Sequence, residues 1–230
     1  MIPALDGLRL IELSRLVLHE ARDPARLVRV RRDVEQEGVQ RNPVIVAPYQ
    51  GLYLVLDGAH RVHALRELGR RFALVQIVEL PGMAESWGHL LDAANLGAVL
   101  RSAREREVSM TTLEERCLAE ARFHGGERLF IEAHEGGLVP VVRALWALQD
   151  AYPEGEVVRR VDPGKPVELA AGEAVLLYRR FTPGELVEVV SGGEVLPAGI
   201  TRFIIEERVL NVRYPLGLLS RATPPSATPS

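Results

Sequence analysis

The segment "YLVLDGAHRVHALRELG", residues 53–69, constrains the fold more than any other part of the chain. Its first half is a short apolar run that reads as a strand and stops at Asp57-Gly58. Val62, Leu65 and Leu68 then recur at the spacing of a helix that Gly69 closes. A strand that enters a helix through a glycine leaves the first backbone N–H groups of that helix converging on one point, a natural seat for an anion. Asp57, Gly58, His60 and Arg61 all fall at this turn. Two accounts of them are open. In one, Asp57 caps the helix and its neighbours are solvated. In the other, the N–H groups, His60 and the rigid fork of Arg61 grip a phosphate, and Asp57 beside it holds Mg²⁺ or takes a proton. On the pentapeptide alone, the cap is the simpler account.

Composition removes several function classes. The chain has 230 residues, 47% hydrophobic and 26% charged, enough for one large domain or two small ones. Its formal net charge of −3 announces no nucleic-acid or membrane partner. Lys165 is the only lysine, so Schiff-base chemistry and a GxxxxGK[ST] loop have nowhere to reside. Cys117 is the only cysteine, which excludes intrachain disulfides and multi-cysteine metal sites. The start "MIPALDGLRLIELSRL" interrupts its apolar stretch with charges and does not read as a signal peptide. No apolar run is long enough to span a membrane, and the cytoplasm is the expected compartment.

Along the chain, "LRLIELSRLVL" (8–18) reads as one strand or two. "RDPARLVRVRRDVEQEG" reads as a helix with Asp23 as N-cap, Pro24 as first residue and Gly38 as terminator. "NPVIVAP" and "LYLVLDG" are strands joined by a turn at Tyr49-Gln50-Gly51, and "FALVQIVEL" is another. Residues 1–80 thus form one α+β unit. The spacing predicts helices over 85–103 and 111–124, the second opened by a capping-box pattern at Thr111-Thr112-Leu113-Glu114. "ERLFIEAHEGG" is a strand and "VPVVRALWALQDAY" a helix. Short strands follow: "VVRRV", "AVLLYRRF", "ITRFIIE" and "VLNVRY", with a capped helix starting at Thr182-Pro183-Gly184-Glu185. The expected organisation is a domain over 1–80, a helical plus α/β segment over 81–219, and a disordered Pro/Ser/Thr-rich tail over 220–230.

The order strand, His19-Glu20, helix, Asn42-Pro43, two strands, Asp57-Gly58-Ala59-His60-Arg61, helix resembles the ParB/sulfiredoxin superfamily. Within it, the pattern is most similar to the free L-serine kinases. Sulfiredoxins need a cysteine in this turn, where the chain has Gly58-Ala59-His60. Chromosome-partition ParB proteins carry an arginine pair there and a basic helix-turn-helix after it, neither of which is present. Nucleic acid is therefore a disfavoured partner. A ParB-like nucleotide-binding regulator without transferase activity is the alternative, and Glu20, which a pure binding module does not need, separates the two.

The resemblance implies a ParB/sulfiredoxin-like N-terminal domain, a helical middle and a smaller C-terminal α/β region forming a cleft. It further implies transfer of a phosphoryl group from ATP or ADP, with Mg²⁺, to the hydroxyl of free L-serine. Glu20 would be the base that takes the hydroxyl proton, because serine is a poor nucleophile at neutral pH. Asp57 would be the second essential acid, steering the base or holding Mg²⁺. Gly58, His60 and Arg61 would grip the phosphate, and Asn42 would bind the nucleotide or cap a turn. His19 would orient Glu20, and His63 would be solvated or stand behind the site. Thr201 and Arg202, in "LPAGITRFII", are the candidates for binding serine, with Trp87 and His89 of "ESWGHLL" as possible pocket walls. Arg202 as an exposed edge-strand residue is the competing account.

Overall fold

The computed structural model describes residues 7–112, 114, 117–154 and 158–220. The chain divides into two units, the first holding residues up to 81 and from 203 onward, the second residues 82–202.

The first unit is built from β1 (Leu8–Glu12), a single 3-10 turn (Leu13–Arg15), β2 (Leu16–Val17), α1 (Pro24–Glu37), β3 (Val39–Gln40), β4 (Val44–Tyr49), β5 (Leu52–Asp57), α2 (Ala59–Glu67) and β6 (Phe72–Ile77). α1 has the ends that its sequence prescribes: the Asp23 carboxylate accepts the N–H of Arg26 at 3.0 Å, Pro24 comes first, and Gly38 leaves at φ 66°. Five strands form one sheet in the order β1-β6-β4-β5-β2. β1–β6 and β4–β5 are antiparallel, whereas β4–β6 and β2–β5 are parallel. Val44, Val46, Val55 and Val75 from the sheet and Val62 and Leu65 from α2 form a buried core. That is the apolar stripe read from the sequence.

The β4–β5 pairing has one feature that bears on function. It runs regularly from Tyr49↔Leu52 to Val46↔Val55, then shifts so that Ile45 faces Asp57. One extra residue on β5 makes a bulge just before the turn. Bulges bend a strand and re-aim the side chains that follow.

The second unit contains β7 (Glu85–Ser86), β8 (Gly88–Asp92), α3 (Ala93–Arg104), β9 (Val108–Thr111), β10 (Ala119–Phe123), β11 (Arg128–Ala133), α4 (Leu138–Asp150), β12 (Arg159–Val161), β13 (Glu173–Tyr178), α5 (Pro183–Ser191) and β14 (Thr201–Arg202). Its main sheet is antiparallel, in the order β12-β8-β13-β10-β11-β9, and β14 pairs separately with β7. The capping box at Thr182 and Glu185 is formed as expected.

Two expected helices are different. Only the second half of 85–103 is helical. "GHLLD" is the strand β8, buried at its first four positions, and a short apolar run inside a sheet has no periodicity to separate it from a buried helix. Asp92, which caps α3 by accepting from Ala94 and Asn95, marks the boundary. Over 111–124 the chain forms the end of β9 and all of β10. Residues with good helix propensity are held extended there because β11 and β13 pair with β10 on both sides. Residues 113, 115 and 116 of that expected helix lie outside the described residues. Cys117 accordingly precedes a strand.

Beyond Arg202 the expected strands are short, and the chain returns to the first unit. β15 (Tyr214–Pro215) pairs with β3, and Leu216 and Leu219 of the closing 3-10 turn (Leu216–Ser220) enter the core beside Ile11, Leu65 and Phe72. The Gln76 side chain donates to Glu207 O at 2.6 Å and accepts from Val209 N at 3.0 Å. The boundary expected at 81–219 therefore differs: residues 203–220 belong with the first unit. Residues 221–230 of the expected tail lie outside the described residues.

Because Leu219 is fully buried in that core, Leu219→Ala is expected to destabilise the protein by about 2–5 kcal/mol. Urea unfolding would measure this, and an unchanged midpoint would show the closing segment to be dispensable.

Candidate active site

β5 delivers Asp57 to the surface, and Gly58, at φ 102°, turns the chain into α2. Gly58 is the N-cap and no side chain caps the helix, so the account in which Asp57 caps it does not hold. The Asp57 carboxylate instead takes two guanidinium groups on one oxygen. Arg61 Nη2 lies 3.1 Å from Oδ2, and Arg208 Nη2 3.2 Å from the same atom. Arg61 Nη2 also donates to Pro43 O at 3.2 Å, while its buried Nε has no hydrogen-bond partner among the described residues. The guanidinium folds back over Gly58. A Cβ there would stand 2.6 Å from Arg61 Nη2, in a backbone region that only glycine enters freely.

His60 is tied to the other side of the site. The backbone N–H of Asp23 donates to its Nε2 at 3.0 Å. A main-chain N–H can only donate, so Nε2 is the acceptor and the neutral ring carries its proton on Nδ1. This contact fixes the start of α1, three residues after Glu20. Glu20 itself is half-buried. His19 beside it is buried and edge-on to Phe203, with ring centroids 5.7 Å apart. Burial holds the His19 pKa below its ordinary value, against the pull of Glu20 and of a hydrogen bond to the Val55 backbone. Asn42 accepts the N–H of Asn211 on Oδ1 at 2.8 Å, a contact between distant parts of the chain. His63 is half-buried; burial first, then Arg66 and Arg22, lower its pKa.

The remaining expected residues lie in the second unit. The Arg202 guanidinium sits 4.7 Å from the ring centre of Trp87, and its Nη1 is 2.7 Å from Asp162 Oδ2. It is thus held between a carboxylate and an aromatic face rather than free on an edge. Thr201 is buried and pairs with Ser86 in β14–β7. His89 is buried too. Its Nδ1 meets Tyr152 Oη at 2.9 Å and its Nε2 meets Gly199 O at 3.1 Å. Tyr152 Oη in turn lies 2.7 Å from Tyr178 Oη. Burial lowers the His89 pKa to about 4, and nearby Arg160 adds to this, while the Gly199 hydrogen bond opposes it. Both ring nitrogens therefore serve the interior.

Sequence reasoning missed Arg208, Phe203, Asn211 and Asp162. Each meets an expected residue from a distant part of the chain, with no local motif to mark it.

No protein-family model matches the chain. Its fold is that of solved free serine kinases: a free serine kinase in complex with AMP aligns with TM-score 0.72 at 19% identity, covering 93% of each chain. A conserved hypothetical protein from Pyrococcus furiosus aligns with TM-score 0.67 at 19% identity, over 93% of this chain and 97% of that one. The truncated SbnI from Staphylococcus aureus aligns with TM-score 0.81 at 25% identity, over 97% of this chain and 93% of that one. In sequence, the chain is 29% identical over 223 residues to the ATP-dependent L-serine kinase SbnI of that organism, covering 94% of this chain and 85% of the relative. The ATP-dependent L-serine kinase of Staphylothermus marinus is 44% identical over 62 residues, 26% of this chain and 25% of that one. The resemblance to the free L-serine kinases thus extends over nearly the whole chain.

Two outcomes follow from this geometry. Gly58→Ala is expected to cost about 1–2 kcal/mol in stability, from the left-handed backbone, and to displace Arg61, so nucleotide affinity falls in a protein that still folds. Calorimetry on the purified variant checks both. His89, with a folded pKa of about 4 against an ordinary 6.5, binds its proton more readily in the unfolded chain. The stability lost through it as pH falls from 6.5 to 4 is about 3 kcal/mol. The advantage of the wild type over His89→Gln in urea unfolding should shrink across that window; a constant gap would mean that His89 is not held neutral.

Proposed function

We propose that this protein is a free L-serine kinase that transfers a phosphoryl group from ATP or ADP to the serine hydroxyl, giving O-phospho-L-serine. The observation that carries this reading is the near-complete alignment, in sequence and in fold, with the ATP-dependent L-serine kinase SbnI.

The chain's own residues take roles that follow from their chemistry. Glu20 accepts the hydroxyl proton as the oxygen attacks the terminal phosphorus; the bond between that phosphorus and the bridging oxygen of the nucleotide breaks, and the shortened nucleotide leaves. Arg61, His60 and the first N–H groups of α2 spread the charge of the transferring group. Asp57 orients Arg61. Arg202, held by Asp162 and Trp87, is assigned to the serine carboxylate, and Thr201 supports the same strand. His89 and Asn42 are assigned to the scaffold: His89 holds the Gly199 turn before Thr201, and Asn42 holds the closing segment at Asn211.

Mg²⁺ usually takes one or two carboxylates together with substrate phosphates and its own waters. By that chemistry the ion would enter with the nucleotide. Asp57 fits as its protein carboxylate, being 40% exposed with both ion pairs on Oδ2. The ion would neutralise phosphate charge during transfer.

Incubation with Mg²⁺, ATP or ADP and a mixture of free amino acids, read by mass spectrometry, is expected to yield phosphoserine; none with either nucleotide overturns the reading. Glu20→Gln should lower turnover by about 10²–10⁴-fold with nucleotide affinity retained. Arg61→Ala should weaken both. A Glu20→Gln enzyme at the wild-type rate would move the base elsewhere.

A further inference from the structure

We propose that Arg208, carried by the segment that returns from the second unit, gives the Asp57 turn its net positive charge and binds the phosphates of the incoming nucleotide. The proposal rests on the kinase reading for the identity of that nucleotide.

The charge count is the first argument. Asp57 and Arg61 alone form a neutral pair, a poor attractor for a polyanion. Arg208 adds a second guanidinium to the same carboxylate oxygen, so Asp57, Arg61 and Arg208 together carry one excess positive charge beside the N-terminus of α2, with Glu20 counted apart as the proton acceptor. Its chain neighbours Glu206 and Glu207 are exposed, and no ion pair among the described residues joins them to the cluster. Oδ2 is shared by two arginines, so either can turn part of its fork to a phosphate while the other holds Asp57 in place. Arg208 is the more exposed of the two, its side chain 39% accessible against 23% for Arg61.

The second argument is the segment that carries it. Asn211 and Arg213 adopt left-handed backbone at φ 58° and 55°. Non-glycine residues take up such conformations where their surroundings impose them. Here the N–H of Asn211 is seated on Asn42 Oδ1 and that of Arg213 on Arg41 O, while Gln76 grips the chain on either side of Arg208. Arg208 is therefore delivered to Asp57 by a conformation fixed at three points, all on the first unit.

Mg·ATP and Mg·ADP binding, measured by calorimetry at low and high salt, tests this with Arg208→Gln and Arg208→Lys. Arg208→Gln is expected to weaken nucleotide affinity about tenfold, the size of a lost charge-assisted contact. It should also flatten the salt dependence and raise the nucleotide KM more than it lowers kcat, and Arg208→Lys should recover most of the affinity. Wild-type affinity and salt dependence in Arg208→Gln overturn the proposal. Equal losses in both variants, with a lowered Tm, also overturn it, because they mark a purely structural contact. A wild type that binds nucleotide without making phosphoserine defeats the kinase reading and leaves the Arg208 comparison decisive. One that binds neither nucleotide defeats both.

Discussion

The carboxylate of Asp57 organises the first unit. One of its oxygens is shared by Arg61, one turn into α2, and by Arg208, from the far end of the chain. A half-exposed acid at a helix start ordinarily caps the helix. Here β5 bulges just before the turn, the left-handed Gly58 takes the N-cap position, and no side chain caps α2. Arg61 folds back over Gly58, where a Cβ would obstruct it, and reaches Pro43, next to Asn42. One ion cluster therefore joins the end of a strand, the start of a helix, the loop before β4 and the returning segment.

Beyond the short pairing of β15 with β3, that segment is held by side-chain amides and apolar contacts. Gln76 takes both a carbonyl and an N–H from it, Asn42 takes a second N–H, and two leucines enter the core. Side-chain amides can stand in for a strand partner because each offers a donor and an acceptor at peptide spacing. Gln40 does the same within the unit, exchanging two hydrogen bonds with the backbone of Leu74. In the second unit the comparable device is the His89–Tyr152–Tyr178 network, which satisfies buried polar groups and anchors Gly199 ahead of Thr201 and Arg202.

Local chemistry was readable wherever a residue acts on its near neighbours. Asp23, Pro24 and Gly38 bound α1, Thr182 and Glu185 open α5, and the apolar stripe of α2 faces its sheet as the spacing requires. β8 and β10 were misread as helix for one reason. Their apolar and helix-favouring residues are held extended by strands on both sides, and those partners come from elsewhere in the chain. His89 looked available for a ligand because the tyrosines that occupy it lie far along the sequence.

The sequence by itself determined the strand–turn–helix that carries Asp57, Gly58, His60 and Arg61, because a strand period, a glycine and a helix period are local and steric. It also determined, through the missing thiol and the presence of Glu20, which branch of the superfamily the chain resembles. Only the tertiary structure decided that Asp57 binds arginines instead of capping its helix, that Arg208 is one of them, and that residues 203–220 close the first unit. Apart from the pairing of Asp57 with Arg61, four residues on, those outcomes depend on long-range ion pairs and amide contacts, whose partners carry no short-range pattern and become neighbours only once the core has formed.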